Sequence, residues 1–181
     1  TVWQWGDFFT GTSYRTTYEY PHRVNFENLG ENEHIVQVEA YGDTFMALTS
    51  LGNIYVWGSN AKGLFANLPA KNSYTISVLG GETSTVSYYW HSANEHVYTS
   101  EHRPDTAIKV KQFGPGTTFG PATNISIGED VAMAVANGGR VYAWGANNKG
   151  QQGLNSSNSY LYLPHVVVGL EGIGILTDFT R

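Results

Sequence analysis

The chain has 181 residues, no cysteine, a formal charge of -5 and 41% apolar residues. That length holds one domain with a sizeable core, and the lack of cysteine excludes a disulfide framework, a thiol nucleophile and a thiolate metal site. The acidic balance argues against a phosphate-binding surface, so no nucleic-acid partner is expected, and no apolar run approaches the about 18 residues of a membrane span.

The chain opens on Val2-Trp3-Gln4-Trp5-Gly6, an aromatic strand signal ended by a glycine, with no signal peptide visible. With cysteine absent, an intracellular setting is slightly favoured. A polar insertion over residues 10–20 follows and holds Tyr14, Tyr18 and Tyr20. Phe45-Met46-Ala47-Leu48, the turn Ser50-Leu51-Gly52-Asn53 and Ile54-Tyr55-Val56-Trp57 then read as strand, tight turn and strand. Val97-Tyr98-Thr99-Ser100 is a weaker strand signal. Val131-Ala132-Met133-Ala134-Val135, Asn137-Gly138-Gly139 and Val141-Tyr142-Ala143-Trp144 repeat the hairpin. No window carries a helical stripe, so the class is all-β: a sandwich, a barrel or a propeller.

An internal repeat decides among them. Shifting the chain by 87 residues aligns Ala47, Gly52, Tyr55, Trp57, Gly58, Asn60, Lys62 and Gly63 with Ala134, Gly139, Tyr142, Trp144, Gly145, Asn147, Lys149 and Gly150. A shift of 43 places Val97 to Ser100 where Ile54 to Trp57 stand, and Trp5-Gly6 precedes Trp57-Gly58 by 52. A period of roughly 40 to 50 residues made only of strands is the propeller range. Each copy makes one blade, with Trp packing between blades, Gly turning where no side chain fits, and the Asn-rich turn capping its own backbone. Copies are placed at about 1–52, 53–95, 96–139 and 140–181.

The run Gly139-Arg140-Val141-Tyr142-Ala143-Trp144-Gly145-Ala146-Asn147-Asn148-Lys149-Gly150-Gln151-Gln152-Gly153-Leu154 resembles the signature of RCC1 (regulator of chromosome condensation) repeats, with Pro164-His165-Val166 following where the family has a proline and a β-rich tail. The second copy matches through Gly63 and then departs at Leu64-Phe65-Ala66; the third has lost the Trp-Gly pair. The resemblance implies an RCC1-like β-propeller of which about three and a half blades are present, out of a ring of about seven. A fragment of a longer polypeptide is the favoured expectation, ahead of completion by another chain or a small closed ring; missing blades then come from the rest of the polypeptide or from a partner. The structural repeat residues are Trp5, Gly6, Gly52, Tyr55, Trp57, Gly58, Gly139, Tyr142, Trp144, Gly145 and Gly150.

Chemistry is sparse. His91, Glu95, His96, Glu101 and His102 cluster in sequence but match no zinc spacing and read as solvated loop residues. There is no G-x-S-x-G elbow, Gly114-Pro115-Gly116-Thr117-Thr118 lacks the phosphate-loop spacing, and Asp43 and Asp130 stand at equivalent turns. No catalytic, cofactor or metal site is expected. The sequons at Asn124 and Asn155 differ, the first falling in a strand and the second in a loop. Trp3, Tyr88, Tyr89 and Trp90 are left unexplained by the repeat. Tyr14, Tyr18, Tyr20, Trp90, His102 and Arg103 are the candidate partner-binding residues, and the candidate presenting loops are residues 7–20, 62–74, 101–106 and 151–160. The leading expectation is a non-catalytic protein–protein interaction scaffold within a larger protein or assembly. The alternatives are guanine-nucleotide exchange on a small GTPase, as the resemblance implies, with a wedge sought at residues 100–105, and a structural component of a filament, cilium or extracellular assembly.

Overall fold

The computed structural model describes residues 1–9, 15–60, 63–66, 72–77, 83–88, 103–154, 160–169, 174–177 and 179. Among them every regular element is a strand, thirteen in all. β1 (Trp3–Phe9) and β2 (Arg15–Arg23) form an antiparallel ribbon, and β3 (Asn25–Phe26) follows. β4 (Ile35–Tyr41), β5 (Thr44–Thr49) and β6 (Ile54–Gly58) make an antiparallel meander. β7 (Asn72–Ser77) and β8 (Thr83–Tyr88) form a second ribbon. β9 (Arg103–Lys109) returns to pair antiparallel with β6, and β3 adds to it in parallel. β10 (Ala122–Ile127), β11 (Val131–Ala136), β12 (Arg140–Ala146) and β13 (Tyr160–Val166) are a complete four-stranded antiparallel blade.

The strands divide the chain differently from the copies expected at 53–95 and 96–139. β4-β5-β6-β9 is one blade and β10-β11-β12-β13 the next, so the shift of 87 is the step from one to the other. The interval is long because the β7–β8 ribbon is inserted between the third and fourth strands of the first blade, and it lies beside β13. Val97 to Ser100 fall outside the described residues.

Alternation along the strands gives each blade two apolar faces. Met46, Leu48, Ile54 and Val56 on one face of the first blade pack against Ala132, Ala134, Tyr142 and Trp144 of the second. Val110, Phe113 and Phe119 fill the junction, Phe113 meeting Tyr142 edge-on at 5.6 Å. The opposite face of the first blade, Ala47, Tyr55 and Trp57, packs on Val2, Val24, Phe26 and Leu29. Burying each large aliphatic side chain here contributes about 1.5–3 kcal/mol, so the blade-to-blade junctions are the chief source of stability.

Candidate interaction surfaces

The repeat residues build the scaffold that presents the surface. Trp57 and Trp144 are almost fully buried, and each indole N–H is satisfied across a junction: Trp57 Nε1 donates to Gln4 Oε1 at 2.8 Å, and Trp144 Nε1 donates to the Leu64 carbonyl at 2.9 Å. Tyr55 and Tyr142 stand two residues before them, also buried. Burial, and then the negative charge of Glu33, pushes the Tyr55 phenol up to about 12. Gly58 and Gly145 have φ of 89° and 108°, and a Cβ on either would lie 2.2 Å from a backbone carbonyl, that of Asp43 or Asp130. The same carbonyls accept from Ser59 N at 2.7 Å and from Ala146 N at 2.6 Å. Asp43 and Asp130 are thus backbone acceptors of the turn. Gly52 has a φ of 77° and packs on Pro121; Gly139 and Gly150, with φ of 93° and 71°, complete their turns.

The Asn-rich turn is capped as its composition requires. Asn60 Oδ1 accepts from Phe65 N at 3.0 Å, and Asn147 Oδ1 accepts from Gln152 N at 3.1 Å. Leu64-Phe65-Ala66, where the sequence departs from the signature, keeps this geometry. Ala66 takes a φ of 55° where Gly153 has 61°, and Phe65 is buried where Gln152 is buried.

Trp5 does not share the packing expected of a repeat tryptophan: it is 65% exposed on β1. The reason lies in the ribbon. Gly6 keeps the signature conformation with a φ of 101°, yet nothing lies within 4 Å of where its Cβ would stand, because among the described residues no second strand pairs with β1 as β5 and β11 pair with β6 and β12. Trp3 is likewise 53% exposed. Gln4 alternates to the other side and is buried against Trp57.

The candidate partner-binding residues separate. Tyr20 is 78% exposed on β2. Tyr18 stacks on His22 at 4.2 Å, and His22 Nε2 lies 3.3 Å from Asp105 Oδ2. Burial, and then the Asp105 charge, raises the Tyr18 phenol above its ordinary range. Arg103, Pro104 and Asp105 lie in β9, with Arg103 opposite Gly58, so a projecting wedge at residues 103–105 gives way to the fourth strand of a blade. Pro104 falls where β3 does not pair, a position a strand proline tolerates. Tyr14, Trp90 and His102 lie outside the described residues, as do His91, His96 and Asn155. Asn124 is half-buried in β10, where its Oδ1 accepts from Gln37 Nε2 at 3.2 Å.

A surface that the sequence did not single out is the far face of the second blade. Met133, Val135, Val141 and Ala143 stand 87 residues beyond Met46, Leu48, Ile54 and Val56, the face that carries a blade. Here, among the described residues, Val167, Leu176 and Phe179 lie against it, and an apolar groove of about 300 Å³ remains, lined by Ile125, Met133, Val135, Val141, Leu176 and Phe179. The junction geometry is nevertheless repeated: Val110 N donates to the Ile54 carbonyl and Val167 N to the Val141 carbonyl, both at 2.8 Å. Likewise Ala122 N donates to the Gly52 carbonyl at 2.9 Å and Phe179 N to the Gly139 carbonyl at 3.3 Å.

Two buried ionisable groups serve the framework. Burial alone would raise Glu33, but hydrogen bonds from Thr49, Asn53 and Gly30 and the Lys109 charge hold it below its ordinary value. Burial lowers His165 to about 4, so it is neutral at pH 7. Among the described residues no three His, Asp or Glu side chains converge as metal ligands, and no helix is long and apolar enough to cross a membrane.

Sequence models of the regulator of chromosome condensation (RCC1) repeat match residues 35–64 and 122–151, which begin at the first strands of the two blades, and residues 138–177. The chain is an RCC1-like repeat protein. Its RCC1-type blades are similar to part of the E3 ubiquitin-protein ligase HERC2 of Homo sapiens and of Mus musculus, at 27% identity over 148 residues, 82% of this chain. The match spans only 2% of the ligase. In fold the chain is similar to Prp20p from Saccharomyces cerevisiae, at a TM-score of 0.52 and 19% identity, covering 86% of this chain and 29% of that one. Yeast RCC1 (Prp20) bound to Kap60 gives a TM-score of 0.57 and 18% identity, covering 92% and 32%. At such identity the likeness is one of fold, the β-propeller.

Proposed function

We propose that this chain is a non-catalytic protein–protein interaction scaffold, acting as part of a larger protein or assembly. The observation that carries the reading is the far face of the second blade. Its apolar side chains are the repeat equivalents of a face that elsewhere in the molecule is fully covered, and here they line an open groove. Partly uncovered apolar faces of this kind mark interaction sites. The junctions behind the groove are densely packed, so it is presented rigidly and binding orders little chain.

The test is co-assembly. Met133→Lys with Val135→Lys alters partly exposed side chains of that face. The double variant is expected to fold with an unchanged unfolding midpoint and to lose the stoichiometric complex that the unaltered chain forms in its native assembly. Retention of the complex would overturn the reading. A second reading is guanine-nucleotide exchange on a small GTPase; it is favoured by the fold shared with Prp20p, a protein characterised for its binding to Gsp1p and histones. Substoichiometric chain accelerating nucleotide release from a purified small GTPase would replace the scaffold reading with this one.

A further inference from the structure

We propose that the inserted β7–β8 ribbon is a self-association element: the outer edge of β7 pairs antiparallel with β7 of a second copy of this chain, across a two-fold axis at Thr75. This goes beyond the interaction reading above and uses a different surface.

The placement of the ribbon carries the inference. It interrupts the first blade between its third and fourth strands, so it stands outside the repeat. Of its two strands it is β8 that lies along β13, the outer strand of the second blade. β7 is thus the outer one, and among the described residues no strand pairs with its other edge. The outer strand of the first blade, by contrast, is covered, because β3 pairs with β9. Soluble proteins blunt a bare edge with lysine, proline, a bulge or a very short strand. β7 runs Asn72-Ser73-Tyr74-Thr75-Ile76-Ser77 with no charge and no proline, and its register with β8 is unbroken. Every second residue of such a strand turns its backbone N–H and C=O away from the paired neighbour. The edge is therefore a template for another strand.

The sequence of β7 selects its own copy as that strand. The register sets Ser73 opposite Ser87, Thr75 opposite Thr85 and Ser77 opposite Thr83, so hydroxyl residues share one face of the ribbon, while Tyr74, Ile76 and Val86 share the other. An axis through Thr75 carries both faces across the junction: Ser73 stands opposite Ser77 of the second copy, Tyr74 opposite its Ile76, and Thr75 opposite its Thr75. An axis one residue earlier sets Asn72 opposite Ile76, and an axis between Tyr74 and Thr75 sets Ser73 opposite Ile76 and breaks the alternation. No residue of β7 or β8 is charged, so two approaching ribbons meet no like-charge repulsion. Such a junction is isologous and closes at a dimer. It is also small, a single strand pair, so the dimer forms reversibly with concentration.

The chain has no cysteine, which makes single-cysteine variants clean reporters. Facing Cα atoms of antiparallel strands stand about 4.5 or 5.5 Å apart, within disulfide range. Under mild oxidation, Thr75→Cys is expected to give a covalent dimer at least about tenfold faster than Thr85→Cys, whose position lies on β8. Sedimentation of the full chain from about 5 to about 500 µM should show a monomer–dimer equilibrium, and amide exchange over residues 72–77 should slow across the same range. Thr75→Lys sets two like charges opposite each other and should shift the equilibrium to monomer. Its unfolding midpoint should be unchanged, because the ribbon lies outside the blades. The Met133→Lys/Val135→Lys variant should dimerise as the unaltered chain does, so failure of this proposal and failure of the interaction reading are separable. A chain that stays monomeric throughout, or equal rates for the two cysteine variants, would overturn the proposal. So would a dimer that survives Thr75→Lys, a dimer lost in Met133→Lys/Val135→Lys, or exchange over residues 72–77 that is already slow in the dilute monomer.

Discussion

Alanine at three signature glycines should have unequal consequences. At Gly145 the new Cβ would sit 2.2 Å from the Asp130 carbonyl and 2.7 Å from Leu64 Cδ2, at a φ of 108°. The left-handed backbone alone costs about 1–2 kcal/mol. Displacing the carbonyl weakens its hydrogen bond from Ala146 N, about 1 kcal/mol, and forcing Leu64 aside adds about 1–3 kcal/mol of overpacking. Gly145→Ala should therefore destabilise by about 3–6 kcal/mol, and Gly58→Ala by a similar amount, since its Cβ meets the Asp43 carbonyl at 2.2 Å and the Phe45 ring at 2.8 Å. Gly6→Ala, at nearly the same φ but with open space around it, should lose only the backbone term of about 1–2 kcal/mol. Urea unfolding followed by tryptophan emission gives the differences from the midpoints, provided the slopes agree. If Gly145→Ala and Gly6→Ala fell within about 0.5 kcal/mol of each other, the steric argument would be refuted, and with it the contrast between complete and incomplete blades.

Trp144→Phe removes a buried indole donor and leaves the Leu64 carbonyl unpaired, so it should cost about 2–4 kcal/mol in urea unfolding, while Trp5→Phe should stay within about 0.5 kcal/mol. His165 has its folded pKa lowered to about 4 from an ordinary 6.5, so the unfolded chain binds the extra proton between those values. Stability should then be full above pH 6.5 and fall by about 3 kcal/mol as the pH drops to 4, and His165→Phe should flatten that part of the pH profile. Asn147→Ala deletes the bond that caps the signature turn and should cost about 1 kcal/mol, with Asn60→Ala matching it; a larger loss at only one site would contradict their equivalence.

The elements that sequence displays best are those built from local contacts. The two hairpins, the glycines at positive φ and the capped Asn turn follow from spacing and from what Gly and Asn tolerate, and all recur at the shift of 87. Blade boundaries were less legible. β9 joins β6 across the β7–β8 insertion, a long-range pairing that no local pattern marks, and Pro104 disguised a strand as a loop. The exposure of Trp5 was hidden for a related reason: its sequence neighbours match the signature, but burial depends on a strand that pairs across the sheet. The groove was recoverable in principle. The alternation of Met133, Val135, Val141 and Ala143 is visible, and the repeat maps them onto Met46, Leu48, Ile54 and Val56, a buried face. The Tyr18–His22–Asp105 cluster joins β2 to β9 and leaves no sequence signal.

The most direct test of the central claim, that this RCC1-like chain works through the open face of its second blade, is amide hydrogen exchange on the isolated chain and on the chain within its native assembly. The account predicts added protection at residues 133–141 in the assembly, with the buried junction at residues 46–56 protected equally in both. Protection gained elsewhere while residues 133–141 exchange as freely as in the isolated chain would contradict it.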